Sequence, residues 1–197
     1  MKFSALLSAV KYPKELLQRY CRHQWEVTDD GEILIGHVKI QGSYSTLAPD
    51  GQGEIITPNL ITIEGANHLL GVALGAATQY SKFYIAPFSG NVSITDTLTA
   101  ATFTSTTTEV TAYSEGTRVE FVESAPANRA VTNTANPAVF TSSSDNLTIW
   151  GFGLLSTATK SATTGILLSA MKYSTARMLP VTGDTLSVKY TLTLNNS

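Results

Sequence analysis

The side chains that most often carry out chemistry are few in this 197-residue chain, and they are scattered along it. The single Cys21 excludes an intrachain disulfide, and the three histidines, His23, His37 and His68, lack the spacing of a zinc site. The chain also lacks the G-x-S-x-G elbow, the phosphate-binding loop, and the H-E-x-x-H and C-x-x-C motifs. We therefore expect no metal, no cofactor and no catalytic residue, and we predict that the protein is not an enzyme.

Paired carboxylates would suit glycoside hydrolysis, which needs two carboxyl groups that face one another. Glu120 and Glu123 are three positions apart in a predicted strand, so their side chains should leave opposite faces. Asp29 and Asp30 precede a glycine, which is typical of a turn. Trp150 could stack on a sugar, but it lies in an alternating apolar strand, which favours a place in the core. A carbohydrate-binding β-sandwich or enzyme therefore ranks third among the functions considered.

The charges are few and unevenly placed: 14% of the residues are charged and the formal net charge is −2. Residues 1–24 contain five basic residues and one acidic residue, whereas residues 25–197 contain eight basic and fourteen acidic residues. A basic segment on an acidic body predicts docking onto an acidic partner surface, although a solvated helix is an equal alternative. The candidate partner-binding residues are Lys11, Lys14, Arg19 and Arg22. Because the body has no basic stripe with aromatic residues, we expect no direct contact with nucleic acid.

The first 53 residues have the pattern of an N-terminal arm. Pro13 suits the first turn of a short helix over about 13–23, in which Leu16 and Tyr20 share one face. A strand is predicted over about 32–40 and is followed by a linker rich in serine, proline and glycine. The apolar start of the chain is too short for a secretory signal, which predicts synthesis and retention in a cytoplasm. No apolar run reaches the roughly 18 residues of a membrane-spanning helix, so we expect no membrane partner.

Residues 54–197 have the pattern of one mainly β domain. A helix is predicted over about 63–75, with Thr62 as its N-cap and glycines that indicate close packing against the sheets. Its apolar face is expected to consist of Ile63, Ala66, Leu70, Ala73 and Leu74. The threonine-rich segment 102–111 contains poor helix formers and is expected to form strands or loops. These would be either a hairpin with hydroxyls facing water or, as we favour, a surface buried against identical or different subunits. Seven or eight strands separated by turns predict an antiparallel β-sandwich or jelly roll with this one short helix.

Five segments of the domain resemble, in this order, a group of tailed-bacteriophage virion proteins. They are Pro58–Leu70, Phe83–Gly90, Thr117–Glu123, Asn133–Thr141 and Thr182–Val188. The resemblance covers roughly residues 55–195, is closest to capsid cement or decoration proteins with a jelly-roll body, and leaves the arm unmatched.

The resemblance implies a structural virion protein that binds the outside of a phage capsid and reinforces the contacts between capsid subunits. The implied partners are the major capsid protein and further copies of the chain, as a homodimer or a higher oligomer. The implied location is the head surface of the virion. Related segments also occur in tail-fibre, neck and head–tail adaptor proteins, and such a role is the alternative.

Overall fold

A computed structural model describes residues 25–27, 33–35, 38–75 and 77–196. The helix predicted over about 13–23, and with it Lys11, Lys14, Arg19 and Arg22, lies outside the described residues. The chain divides into two compact units, residues 40–194 and the remainder at the two ends. In the latter unit, strands β1 (Trp25–Val27) and β2 (Ile33–Ile35) pair in antiparallel fashion.

Two antiparallel sheets and two helices form the larger unit. In chain order the elements are β3 (Val38–Leu47), β4 (Glu54–Pro58), β5 (Leu60–Ile61), α1 (Ile63–Leu74), β6 (Phe83–Phe88), α2 (Ala100–Thr107), β7 (Val119–Phe121), β8 (Ala130–Thr132), β9 (Ala138–Thr141), β10 (Leu147–Leu155), β11 (Leu167–Leu179) and β12 (Thr185–Asn196). The first sheet has the order β5-β11-β10-β6-β7. The second has the order β4-β3-β12-β8, and β9 also pairs with β12. The predicted mainly β, antiparallel sandwich is therefore confirmed.

The main core lies between the two sheets and is rich in aromatic side chains. Alternate residues of β10, such as Phe152 and Leu154, point into it and meet side chains of the second sheet. There the rings of Tyr44 and Tyr190 are 4.7 Å apart, and Tyr44 also stacks on Phe152. Burial of these rings accounts for a large part of the attraction between the sheets.

A second, smaller core covers the other face of the first sheet. Here Phe88 and Leu155 pack against Phe103 of α2. The glycines of β10 make room for these rings, because a Cβ atom on Gly153 would lie 2.6 Å from the Phe103 ring. β10 therefore contributes one face to each core.

Helix α2 corrects the prediction of strands or loops over 102–111, and the described residues contain two helices rather than one. The Thr99 N–H donates to Thr102 Oγ1 at the start of this helix, and Phe103 is fully buried. Burial of an aromatic ring thus outweighs the weak helix propensity of threonine. Each threonine costs less than about 1 kcal/mol relative to alanine in a helix. The helix ends at Thr108, which has a left-handed conformation with φ of 59°.

Helix α1 has the predicted N-cap but buries a different face from the one predicted. The Gly65 N–H donates to Thr62 Oγ1 at 2.9 Å, as a capping threonine should accept. Gly65, however, is the buried residue of the helix, whereas Ile63, Leu70 and Leu74 are exposed. The expected inward apolar face is therefore wrong, because close contact through a glycine decides which side of the helix meets the sheet. Neither α1 nor any other helix among the described residues is long and apolar enough to cross a bilayer.

Raising the pH above about 10 should destabilise the sandwich through its buried tyrosines. Desolvation raises the pKa of Tyr190 to about 12 and also raises the pKa of Tyr44 and Tyr173. An unfolded chain loses the phenolic proton near pH 10, whereas the folded protein retains it. The free energy of unfolding should therefore fall between about pH 10 and pH 12, by about 1.4 kcal/mol per pH unit for each such group.

Urea unfolding at about pH 9 and about pH 11 would measure this loss, and tyrosinate absorbance would show which state ionises. The variant Tyr44→Phe removes one buried phenol and should flatten the pH dependence. Equal stability of the wild-type protein at both pH values would contradict the prediction.

Candidate binding face

An uncharged, mainly apolar row on the outward side of helix α1 is the most exposed apolar feature of any helix in the described residues. The row consists of Ile63, Asn67, Leu70 and Leu74, and we call it the α1 face. Successive spacings of four, three and four residues place these side chains above one another along one side of the helix. The exposed fractions are 49% for Ile63, 58% for Leu70 and 85% for Leu74. Three large aliphatic side chains therefore meet solvent where a surface helix normally presents charges.

The opposite side of α1 is fixed tightly to the first sheet. A Cβ atom on Gly65 would lie 2.2 Å from the Leu168 backbone oxygen, so helix and strand touch through their backbones. Leu69 packs against the main core on the same side. The Thr62 hydroxyl donates to the Leu167 carbonyl, and the Thr62 N–H donates to Leu168 O at 3.2 Å. The α1 face is therefore presented by a firmly held helix.

The only carboxylate in α1 is turned away from this face. Glu64 Oε2 accepts hydrogen bonds from the backbone N–H of Ala100 at 2.8 Å and of Leu167 at 2.7 Å. One oxygen thus joins α1 to the first residue of α2 and to the start of β11. Because Glu64 is used in this way, no charged side chain interrupts the α1 face.

Two aromatic rings, Tyr80 and Phe83, pack around His68 on one side of α1. The ring of Tyr80 lies 5.1 Å from His68 and 6.4 Å from Phe83. Tyr80 comes from the segment that follows the helix and is 39% exposed. His68 therefore belongs to an aromatic cluster beside the helix.

A fully buried ion pair fixes two long connections of the chain, the one between α2 and β7 and the one between β10 and β11. Arg118 Nη2 lies 2.7 Å from Glu109 Oε2, Arg118 Nε lies 2.8 Å from Glu109 Oε1, and both side chains are 0% exposed. Arg118 also donates to the Thr157 and Ala162 carbonyls, each at 3.1 Å. Glu109 accepts from the Thr104 hydroxyl at 2.9 Å. The two charges neutralise each other, and their hydrogen bonds join four segments of the chain. The pair therefore has a structural role.

A second buried ion pair holds the turn between β3 and β4. Arg177 Nε lies 2.8 Å from Asp50 Oδ2, and Arg177 Nη2 donates to the Gly53 carbonyl at 2.9 Å. Asp50 in turn accepts from the Gln52 N–H at 3.1 Å. Neither ion pair was predicted from the sequence, because the sequence does not show which charged residues are buried. It also does not show which residue each of them pairs with.

Glu120 and Glu123 do not form a pair, and Asp29 and Asp30 lie outside the described residues. Glu120 binds Lys82 at 2.8 Å on the surface, while Glu123 is exposed beyond the end of β7. Asp145 accepts from Thr182, as a turn residue does. Trp150 is partly buried against the smaller core, in agreement with the interpretation of this tryptophan as a packing residue. Within the described part of the chain, no group of three His, Cys, Asp or Glu side chains could hold a metal ion.

The chain matches no known protein-family model and no curated protein. The likeness to phage virion proteins therefore rests on the five sequence segments alone and stays a hypothesis. The α1 face is the feature of the described surface from which a function is best argued.

Proposed function

We propose that this protein is a structural subunit of a tailed-phage virion, which binds the outside of the capsid and reinforces contacts between capsid subunits. The observation that carries the proposal is the uncharged α1 face, held on a sandwich whose connections are fixed by buried ion pairs. Such a surface gains stability when another protein covers it. The five segments that resemble phage cement proteins suggest which assembly supplies that protein.

A cement protein acts by adding buried area at places where the shell itself has little. Each large aliphatic side chain that becomes covered contributes about 1.5–3 kcal/mol, before the cost of association is subtracted. Many copies on one particle act together, so a modest affinity for each contact suffices. Because the sandwich is held together by buried ion pairs, little of the binding free energy would be lost to deformation of the protein.

The basic residues of the arm are proposed to bind the shell itself. Lys11, Lys14, Arg19 and Arg22 would lie against an acidic surface of the major capsid protein. Contacts of this kind between exposed charges are screened by salt, with a Debye length of about 8 Å at physiological ionic strength. The proposal therefore expects attachment that weakens as the salt concentration is raised.

Reversing the four arm charges to glutamate should weaken attachment to capsids that lack the protein by at least about 10-fold, since each contact contributes roughly 0.5 kcal/mol or more. Cosedimentation of labelled protein with such capsids would measure the binding. Lys39→Glu combined with Arg129→Glu reverses two exposed charges of the described chain and serves as the control. Equal attachment of the arm variant and the wild-type protein would contradict the arm contact.

Electron microscopy of labelled virions would test the location itself. Copies spread over the head would support the cement role. Copies confined to the tail or neck would instead support the alternative of a fibre, neck or adaptor protein and overturn the cement proposal. Absence of the chain from purified virions would overturn both.

A further inference from the structure

We propose that the α1 face pairs with the α1 face of a second copy of this chain about a two-fold axis. This inference deepens the proposed function, because it names the partner of that face. In the virion, two copies joined in this way would bridge neighbouring capsomers, each copy holding the shell through its own arm.

The spacing of the row favours another helix as the occupant. Residues 63, 67, 70 and 74 repeat at intervals of four, three and four, which is the pattern that lets side chains of two helices interlock. A strand or an irregular peptide would not match this 3.5-residue repeat. Because the described chain supplies the same row in every copy, a second α1 is a partner with matched spacing.

The chemistry of the row favours a partner identical to itself. No charge lies in the row, since Glu64 is bound to backbone N–H groups of the body. A partner with a charged surface would lose hydration there and gain no opposite charge. Asn67 is the one polar member, and a side-chain amide both donates and accepts. Two copies of Asn67 near a two-fold axis could therefore satisfy each other, and a buried asparagine of this kind selects one register.

The size of the face determines how strong the pairing should be. A helix of 12 residues is about 18 Å long, so a single helix pair covers less than the roughly 800 Å² per partner of a standard interface. We therefore expect a weak dimer in free solution, which many copies on one particle would reinforce.

Analytical ultracentrifugation of the full chain over a range of concentrations tests the pairing. The average mass should rise from 21.0 kDa towards twice that value as the concentration increases. Leu70→Asp places a charge in both halves of the contact and should weaken dimerisation by at least about 10-fold. Asn67→Leu should strengthen association and loosen its register, since it replaces the one polar member by an apolar side chain. Opposite effects of neighbouring substitutions would not arise from a general loss of folding.

The matched control is Ala101→Asp, which adds the same charge at an exposed position in the first turn of α2, where a negative charge suits the helix dipole. It should dimerise like the wild-type protein. A wild-type mass of 21.0 kDa at all concentrations would overturn the inference, as would equal dimerisation of Leu70→Asp and Ala101→Asp.

Cross-linking and capsid binding separate this inference from the proposed function. In a Cys21→Ser background, Asn67→Cys should be joined to its counterpart by a short bismaleimide, whereas Ala101→Cys should not. Dimers that fail to attach to capsids would support the pairing and contradict the cement role. A monomer that attaches to capsids, and that loses attachment on Leu70→Asp, would overturn the pairing and leave the cement role standing.

Discussion

Replacing Arg118 by leucine should reduce the free energy of unfolding by about 3–5 kcal/mol, the typical cost of breaking a buried ion pair. Arg118 and Glu109 are both 0% exposed and make two contacts of 2.7 and 2.8 Å with each other. Without the guanidinium, the Glu109 carboxylate stays buried with one hydroxyl and one backbone N–H as its remaining donors. The Thr157 and Ala162 carbonyls also lose their donor. Urea unfolding at neutral pH would measure the loss.

The exposed pair between Lys82 and Glu120 supplies the matched control. Lys82 Nζ lies 2.8 Å from Glu120 Oε2, but the two side chains remain 54% and 35% exposed. Lys82→Leu should therefore change stability by no more than about 1 kcal/mol. The double variant Arg118→Leu/Glu109→Leu should recover part of the loss, because it removes the stranded charge as well. A loss in Arg118→Leu no larger than that in Lys82→Leu would refute a structural role for the buried pair.

Gly65→Ala should destabilise the protein by about 1–3 kcal/mol or more, although alanine is the better helix former by about 1 kcal/mol. The new methyl group would lie 2.2 Å from the Leu168 oxygen and 2.7 Å from its Cα atom. These are backbone atoms of a strand paired on both sides, so the helix must move instead. Thermal and urea unfolding would measure the change.

Gly116→Ala is the control for this substitution, because no atom lies within 4 Å of a Cβ at that position and the residue is exposed. Its stability should stay within about 0.5 kcal/mol of the wild type. Since displacement of α1 would also move the α1 face, Gly65→Ala should weaken self-association in parallel. A stabilised Gly65→Ala variant would show that helix propensity, rather than close contact, dominates at this position.

Helix α1 shows how far the sequence could predict the fold. Its bounds and its capping Thr62 followed from apolar periodicity and from the preference of threonine for the N-cap. Its orientation did not follow, because the polar side chains Glu64 and His68, which would normally mark the solvent side, are engaged with other segments of the domain. Only the contact between Gly65 and Leu168 decides the matter, and that contact joins residues about a hundred positions apart.

Helix α2 and the buried ion pairs were missed for related reasons. Segment 100–107 is rich in threonine, and its propensity alone argues against a helix. The burial of Phe103 under the first sheet reverses that preference, but the sheet is assembled from strands elsewhere in the chain. The sequence indicated the start of β10 by alternation over Asn146–Trp150 and the start of β11 over Ile166–Ala170. The rest of both strands was missed, and in β10 the reason is that consecutive residues are buried on both faces and the alternation is lost.

The attachment of α1 to β11 determines which strands of the sandwich carry a force that is applied to this helix. β11 lies inside the first sheet, between β5 and β10, and its register with β10 extends from Leu147 opposite Leu179 to Leu155 opposite Leu167. A pull on α1 therefore reaches this interior strand through the contact between Gly65 and Leu168, and it also reaches the edge strand β5, which precedes the helix in the chain. The helix is thus tied to two neighbouring strands of the first sheet, one interior and one at the edge.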